Sequence, residues 1–330
     1  MDRRIYKIIL ISSLLIIFLV ISWFLFAGKG KTFIFSYSSA KTEKVTEIEK
    51  KDKNISNVPI KILFVGDMML DRYIRQVEDK KGRDFVFAGV KNILNANDLV
   101  VGNLEGPITE NSSVSVDSKM GEKDNYIFTF PEKTGEDLWN NNIRLVNLGN
   151  NHILNFAENG LVKTKENLRQ NKVDFFGDPL GEKRIATINK NGLKISFVNY
   201  NQFESEAKSK TLNDIKISKE QKADLIILYT HWGKEFVPQA GDDIKSLAHE
   251  FIDSGVDLII GSHPHVIQDK EVYNGKTIYY SLGNFIFDQY FSPETQNGLA
   301  VEVEMNPINK RMDFKDIPVV MKNTGQTLLK

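Results

Sequence analysis

From residue 59 onward the sequence predicts a layered α/β domain with mixed sheets, on three observations. First, short apolar runs recur and each ends in a small or polar pair. Residues 60–65 (IKILFV) lead into Gly66-Asp67, 98–101 into Gly102-Asn103, and 143–148 into Gly149-Asn150. Farther on, 225–229 lead into Thr230-His231, 256–260 into Gly261-Ser262, and 277–282 into Gly283-Asn284. Such runs read as buried strands that feed loops. Second, helical spacing appears between them. Ile244, Leu247, Ala248, Phe251 and Ile252 share one face, with Asp242 or Asp243 to cap the start and Gly255 to stop the end. Weaker helices fit 85–95, 132–141 and 158–171. Third, 184–188 and 193–199 flank Asn191-Gly192 as a β-hairpin, and 299–305 pairs with 313–320 as a second.

Ahead of this domain the chain divides into three pieces. Residues 1–7 carry Arg3, Arg4 and Lys7 and read as a cytoplasmic N-terminus. Residues 8–27 (IILISSLLIIFLVISWFLFA) hold no charge, are apolar all round, and as a helix span about 30 Å, the thickness of a bilayer core. A cleaved signal peptide is the rival reading, but the apolar stretch is long for one and Leu25 with Ala27 makes a poor cleavage site. The expectation is a single-pass anchor in the cell membrane, with residues 59–330 outside the cytoplasm. Residues 28–58, with the charge-rich run KTEKVTEIEKKDKNISN, read as a flexible linker.

Composition narrows the chemistry. The 330 residues are 41% apolar and 26% charged, which excludes a disordered or collagen-like chain. Forty-three basic residues balance forty-three acidic ones, so no whole-chain field favours nucleic acid, and none is expected as a partner. With no cysteine, disulfides, thiolate zinc sites, Cys nucleophiles and iron–sulfur clusters are excluded. Any metal must be held by His, Asp, Glu or Asn.

In α/β sheets ligands bind at the carboxyl ends of strands. Those positions here hold Asp67, Asn103 with Glu105, Asn150 with Asn151 and His152, His231, and His263 with His265. Four of the five histidines thus occupy strand-end loops. Singly each has a bland account: a turn after a strand, a solvated carboxylate, or a satisfied core histidine. His249, in the clean helix, is read as structural and facing Asp253 one turn on. Together, carboxylates, an amide oxygen and imidazoles suit one or two divalent ions such as Mn, Zn or Fe, rather than Ca or Mg. Two ions about 3.5–4 Å apart could hydrolyse a phosphoester while an imidazolium protonates the leaving oxygen.

The ordered motifs GDMMLDR, NLEGPIT, NNH, HWGKEF, GSHPHVIQ and YSLGNFIFD resemble those of the CapA family of poly-γ-glutamate capsule synthesis proteins over residues 61–288. The resemblance implies a four-layer α/β/β/α sandwich of the metallophosphatase (calcineurin-like) kind. It implies Asp67, Glu105, Asn151, His231, His263 and His265 as metal ligands and His152 as general acid. Asn103, Asn284 and Asp288 would shape the substrate pocket. It further implies work in polyglutamate or related anionic surface-polymer synthesis or export, beside membrane synthase subunits. A plain extracellular phosphoesterase and a non-catalytic polymer- or partner-binding subunit are the alternatives. Two departures from the metallophosphatase pattern stand out. As in other CapA-like proteins, Met69 stands where wider metallophosphatases have a ligand imidazole, and a thioether is a poor ligand for such cations. Asn155 replaces a carboxylate that would orient His152.

Overall fold

The structure, a computed structural model, describes residues 57–330. The anchor at 8–27, residues 1–7 and the linker as far as residue 56 lie outside the described residues. In chain order the elements are β1 (Ile60–Met68), α1 (Arg72–Lys81), α2 (Lys91–Asn95), β2 (Leu99–Leu104), α3 (Thr134–Asn140), β3 (Ile143–Asn147), α4 (Ala157–Gln170) and β4 (Asp174–Phe176). There follow β5 (Ala186–Lys190), β6 (Leu193–Asn201), α5 (Ala207–Glu220), β7 (Leu225–His231), α6 (Asp242–Asp253) and β8 (Leu258–Ser262). The chain closes with β9 (Lys270–Tyr273), β10 (Lys276–Tyr279), β11 (Asn284–Ile286), α7 (Pro293–Gln296), β12 (Asn297–Met305), β13 (Met312–Met321) and β14 (Thr327–Leu329).

These strands form two mixed sheets. One runs β14-β13-β12-β1-β2-β3-β4, with β11 pairing the far end of β1; the other runs β5-β6-β7-β8-β10-β9. Strands β1 to β4 are mutually parallel, as are β6, β7, β8 and β10, while the outer strands attach antiparallel. Alternation along the strands explains the layering. Ile62, Phe64 and Val101 of the first sheet pack against Phe197, Ile227 and Ile260 of the second in one buried cluster. The opposite faces are covered by helices. Leu63, Val100 and Val146 meet Ile74, Leu161 and Leu168, whereas Val198, Leu228 and Ile259 meet Ile215, Ala248 and Phe251. The result is a four-layer α/β/β/α sandwich, as expected.

Both expected hairpins are present, and Asn191 and Gly192 take positive φ (52° and 82°), as a tight two-residue turn demands. Elsewhere the details depart from expectation. The run at 85–95 is not one helix. The Val86 carbonyl accepts from Thr327 N of β14 (3.2 Å), and a Cβ on Gly89 would lie 2.6 Å from the Thr327 carbonyl, so the returning C-terminal strand takes that space. Gly241 occupies the cap of α6, with Asp242 and Asp243 in its first turn. His249 faces Glu271 (2.8 Å) and stacks on Tyr273, because Asp253 already accepts from Tyr273 and Asn274.

The two sheets are tied together at the carboxyl ends of their parallel strands. Tyr229 Oη of β7 donates to the Val65 carbonyl of β1 (2.5 Å), and Asn199 Nδ2 of β6 donates to the Gly149 carbonyl after β3 (3.2 Å). At Gly66 a Cβ would come within 1.8 Å of the Gly283 carbonyl, so only glycine lets β1 approach the segment that leads into β11. Gly66→Ala is therefore expected to lower folding stability by about 1–3 kcal/mol or more, measured by urea unfolding. An unchanged midpoint would mean that this close approach is not maintained.

Candidate metal centre

Strand ends from both sheets bring the expected residues to one place. Asp67, at the end of β1, is fully buried. Its Oδ1 accepts from Asn103 Nδ2 (2.8 Å) at the end of β2, and its Oδ2 accepts from His263 N (3.0 Å) after β8. Burial disfavours its charge, but hydrogen bonding and attraction from His265, 3.4 Å away, outweigh that and hold the carboxyl well below its ordinary range. Glu105 behaves in the opposite way. It is fully buried and neither oxygen has a hydrogen-bond partner; His265 Nε2 and His152 Nε2 stand 3.7 and 3.9 Å off. Burial, the neighbouring Asp67 charge and the hydrogen bond that a protonated Glu105 can donate to Asp67 push it well above the ordinary 4.5; only the ionised carboxylate lacks a partner.

The imidazoles are fixed by their outer contacts. His265 Nδ1 donates to Asn284 Oδ1 (3.0 Å), which turns Nε2 toward Glu105. His231 Nε2 faces Asn151 Oδ1 (2.8 Å), and its Nδ1 meets Ser262 Oγ (3.1 Å). His263 Nδ1 is buried without a partner. His263 and His265 both take positive φ (95° and 57°), a strain of about 1–3 kcal/mol each that aims two side chains from one His-Pro-His turn. Burial first, then mutual repulsion, lowers His231 well below its ordinary value and takes His263 down to about 3; His263 Nδ1 is left without a partner, whereas both ring nitrogens of His231 are engaged by neighbouring side chains.

His152 sits at the edge. Its Nδ1 lies 3.1 Å from the Tyr126 carbonyl and 3.3 Å from Asn155 Oδ1, and its ring packs at a tilt against Phe128. Nδ1 therefore carries the proton and Nε2 faces the centre. Burial brings it down to about 4 despite the Asn155 hydrogen bond. Asn155 also accepts from Phe128 N (2.8 Å), so the amide still orients His152 and what the departure changes is charge. Met69 is buried in the core, and its sulfur accepts from Asp71 N (3.2 Å).

The residues expected in the pocket separate. A cavity of about 520 Å³ opens beside the centre and is lined by Asp288, with Arg72, His152, His265 and Glu235. Asn103 and Asn284 are fully buried and do not line it. Asn103 joins Asp67 to Asn147 and Asn150, and Asn284 holds His265. Sequence reading missed Arg72, which pairs with Asp288 and lies over Phe128 and Phe287 (5.2 and 5.4 Å). It also missed Glu235. Two sets of donors have their ligand atoms within 4.8 Å of one another: Asp67, Glu105 and His265, and Glu235, His263 and His265. Two adjacent buried carboxyl groups beside imidazoles can both ionise only if a cation satisfies them, so this donor set fits a divalent ion.

A four-layer sandwich with an oxygen- and imidazole-lined centre at its strand ends thus stands beside the comparisons with known proteins. Residues 61–289 match the family model described as bacterial capsule synthesis protein PGA_cap, and the chain belongs to that family. It is 32% identical over 302 residues to the PGA biosynthesis protein CapA of Bacillus subtilis (strain 168), covering 86% of this chain and 74% of that one. It is 27% identical over 282 residues to the capsule biosynthesis protein CapA of Bacillus anthracis, covering 79% and 66%. Among solved structures, the Thermus thermophilus sulfate thiohydrolase SoxB aligns over 77% of this chain and 41% of its own, at 12% identity and a TM-score of 0.40, too low to bear on the fold.

Two tests follow from this geometry. Glu105 is held protonated in the folded chain and ionises near 4.5 when unfolded, so metal-free stability is full below that pH and falls as the pH rises toward the folded value. Glu105→Gln should remove this fall and raise metal-free stability at pH 7 by about 1–3 kcal/mol. A loss of stability in urea unfolding would contradict the partnerless carboxylate. Asn155→Asp should raise the His152 pKa by about one unit or more, read from the pH dependence of its imidazole NMR signals in the metal-free protein. No shift would place Asn155 out of contact with the ring.

Proposed function

We propose that this chain is a membrane-anchored CapA-like protein of poly-γ-glutamate or related surface-polymer synthesis or export, carrying a metal-dependent, phosphoesterase-type hydrolase site. The observation that carries the hydrolase reading is Glu105, a buried carboxylate with no partner, set between Asp67 and His265. Family membership and the names of the Bacillus relatives support the polymer role. The charge-free segment at 8–27 behind Arg3, Arg4 and Lys7 supports the anchor and an extracytoplasmic domain.

Asp67, Glu105, Asn151, His231, His263 and His265 would hold one or two ions of Mn, Zn or Fe, in the metallophosphatase manner the motifs imply. When bound, such ions supply Lewis-acid activation of water and of a phosphoryl group. The remaining chemistry belongs to the chain's own residues. His152 is anchored through Nδ1, so Nε2 is the atom that exchanges a proton with a leaving oxygen in the cavity. Arg72 is the one fixed cation among the described residues lining the cavity, and since it is paired with Asp288 it would hold an anionic group there only by exchanging that partner. Phe128 and Phe287 flank it and shield it from water.

One observation favours a second reading, a non-catalytic polymer- or partner-binding subunit. Met69 directs its sulfur into the core, so a donor that metallophosphatases use is missing. The two readings separate on His152→Ala, assayed with phosphomonoester and phosphodiester substrates and added Mn²⁺. The hydrolase reading predicts a fall in kcat of about 10²–10⁴-fold with metal content unchanged. Absence of metal-dependent turnover in the unsubstituted chain, with polymer synthesis in cells untouched by the substitution, would select the binding subunit.

A further inference from the structure

We propose that Glu235 is a metal ligand, supplying from the cavity side the donor that Met69 cannot give. The inference rests on the metal-site reading above and deepens it. Glu235 lies in the loop after β7, inside the HWGKEF motif, where the sequence marked only His231 as a ligand. In the structure its carboxylate, His263 and His265 place one ligand atom each within 4.8 Å of one another. That group meets the buried group of Asp67 and Glu105 at His265, so the two form one continuous donor cluster.

Glu235 is exposed, yet its backbone is not free. Phe236 N donates to the carbonyl of Pro264 (2.8 Å), the residue between the two histidines. Gln268 Nε2 donates to the Val237 carbonyl (2.7 Å), and Gln202 grips Gly233 through both its N–H and its carbonyl (2.7 and 2.9 Å). One hydrogen bond thus fastens the Glu235 loop to the His-Pro-His turn, one to Gln268 beyond it, and two to Gln202 just past the end of β6. The backbone on either side of Glu235 is therefore fixed, and its carboxylate stands within 4.8 Å of ring nitrogens of two imidazoles.

The neighbouring groups point the same way. His263 Nδ1 is buried without a hydrogen-bond partner, and so are both oxygens of Glu105. His265 belongs to both groups, so Glu235 extends the donor set from the buried pair of Asp67 and Glu105 toward the cavity, whereas Met69 is turned into the core.

The test is calorimetric titration of the metal-stripped full chain with MnCl₂, comparing the unsubstituted protein with Glu235→Gln and Glu105→Gln. Glu235→Gln is nearly isosteric on an exposed side chain and leaves the fold undisturbed. It should weaken Mn²⁺ binding about 10–100-fold or more, the loss that even an outer-shell change commonly brings, or remove one equivalent. The loss should persist in about 1 M KCl, where screening shortens the reach of bare charge to about 3 Å. Two results would overturn the assignment and spare the metal site: Glu235→Gln binding like the unsubstituted chain while Glu105→Gln does not, or a loss that vanishes in high salt. No Mn²⁺ binding by the unsubstituted chain would remove the metal-site reading itself, and this inference with it.

Discussion

A buried, ionised carboxylate must be satisfied on every side, and the one on Asp67 organises this protein. It stands at the end of β1, which lies inside the larger sheet between β12 and β2, and β1 shifts register against both β2 and β11 at this point. Its partners come from separate segments: Asn103 at the end of β2, and His263 and His265 after β8 in the other sheet. Asn103 passes the constraint onward. Its Oδ1 accepts from Asn147 and Asn150, and Asn150 in turn accepts from the backbone N–H of His152 and Ile153. A chain of amides therefore runs from the carboxylate in the first strand to the histidine at the edge of the cavity. This asparagine-rich network fixes the relative positions of loops that are far apart in sequence.

The strands and their terminal polar residues were legible because buried strands leave plain apolar runs, and each run here stops at its functional residue. Other parts left no such trace. Helix α5 buries Ala207, Thr211, Asp214, Ile215 and Ser218, too few apolar groups to print a period. Helix α1 is largely charged and packs through Ile74 and Val77. Asn103 and Asn284 look the same in sequence whether they face a substrate or another side chain, and only the three-dimensional structure shows them turned inward. Glu235 is an exposed residue two positions past a glycine, with no periodicity to mark it. Arg72 sits in a quoted motif, but its pairing with Asp288 spans 216 residues, beyond any local pattern.

The two departures from the metallophosphatase pattern differ in consequence. At Asn155 an amide replaces a carboxylate, and the contact with His152 survives, so orientation is kept and the electrostatic pull is lost. At Met69 the donor itself is gone, because the thioether is folded into the core. The strained His-Pro-His turn and the partnerless Glu105 both cost folding free energy. Natural sequences retain such features where a site requires them. Their concentration at one set of strand ends, with a cavity alongside, is the strongest structural argument that this centre serves a purpose other than stability.

The central claim is that these strand ends hold a metal. Elemental mass spectrometry of the purified full chain beside its His263→Ala variant tests it most directly. The account predicts about one or two equivalents of Mn, Zn or Fe in the unsubstituted protein and their loss in the variant. No bound metal in either protein, even after reconstitution with each ion, would contradict it.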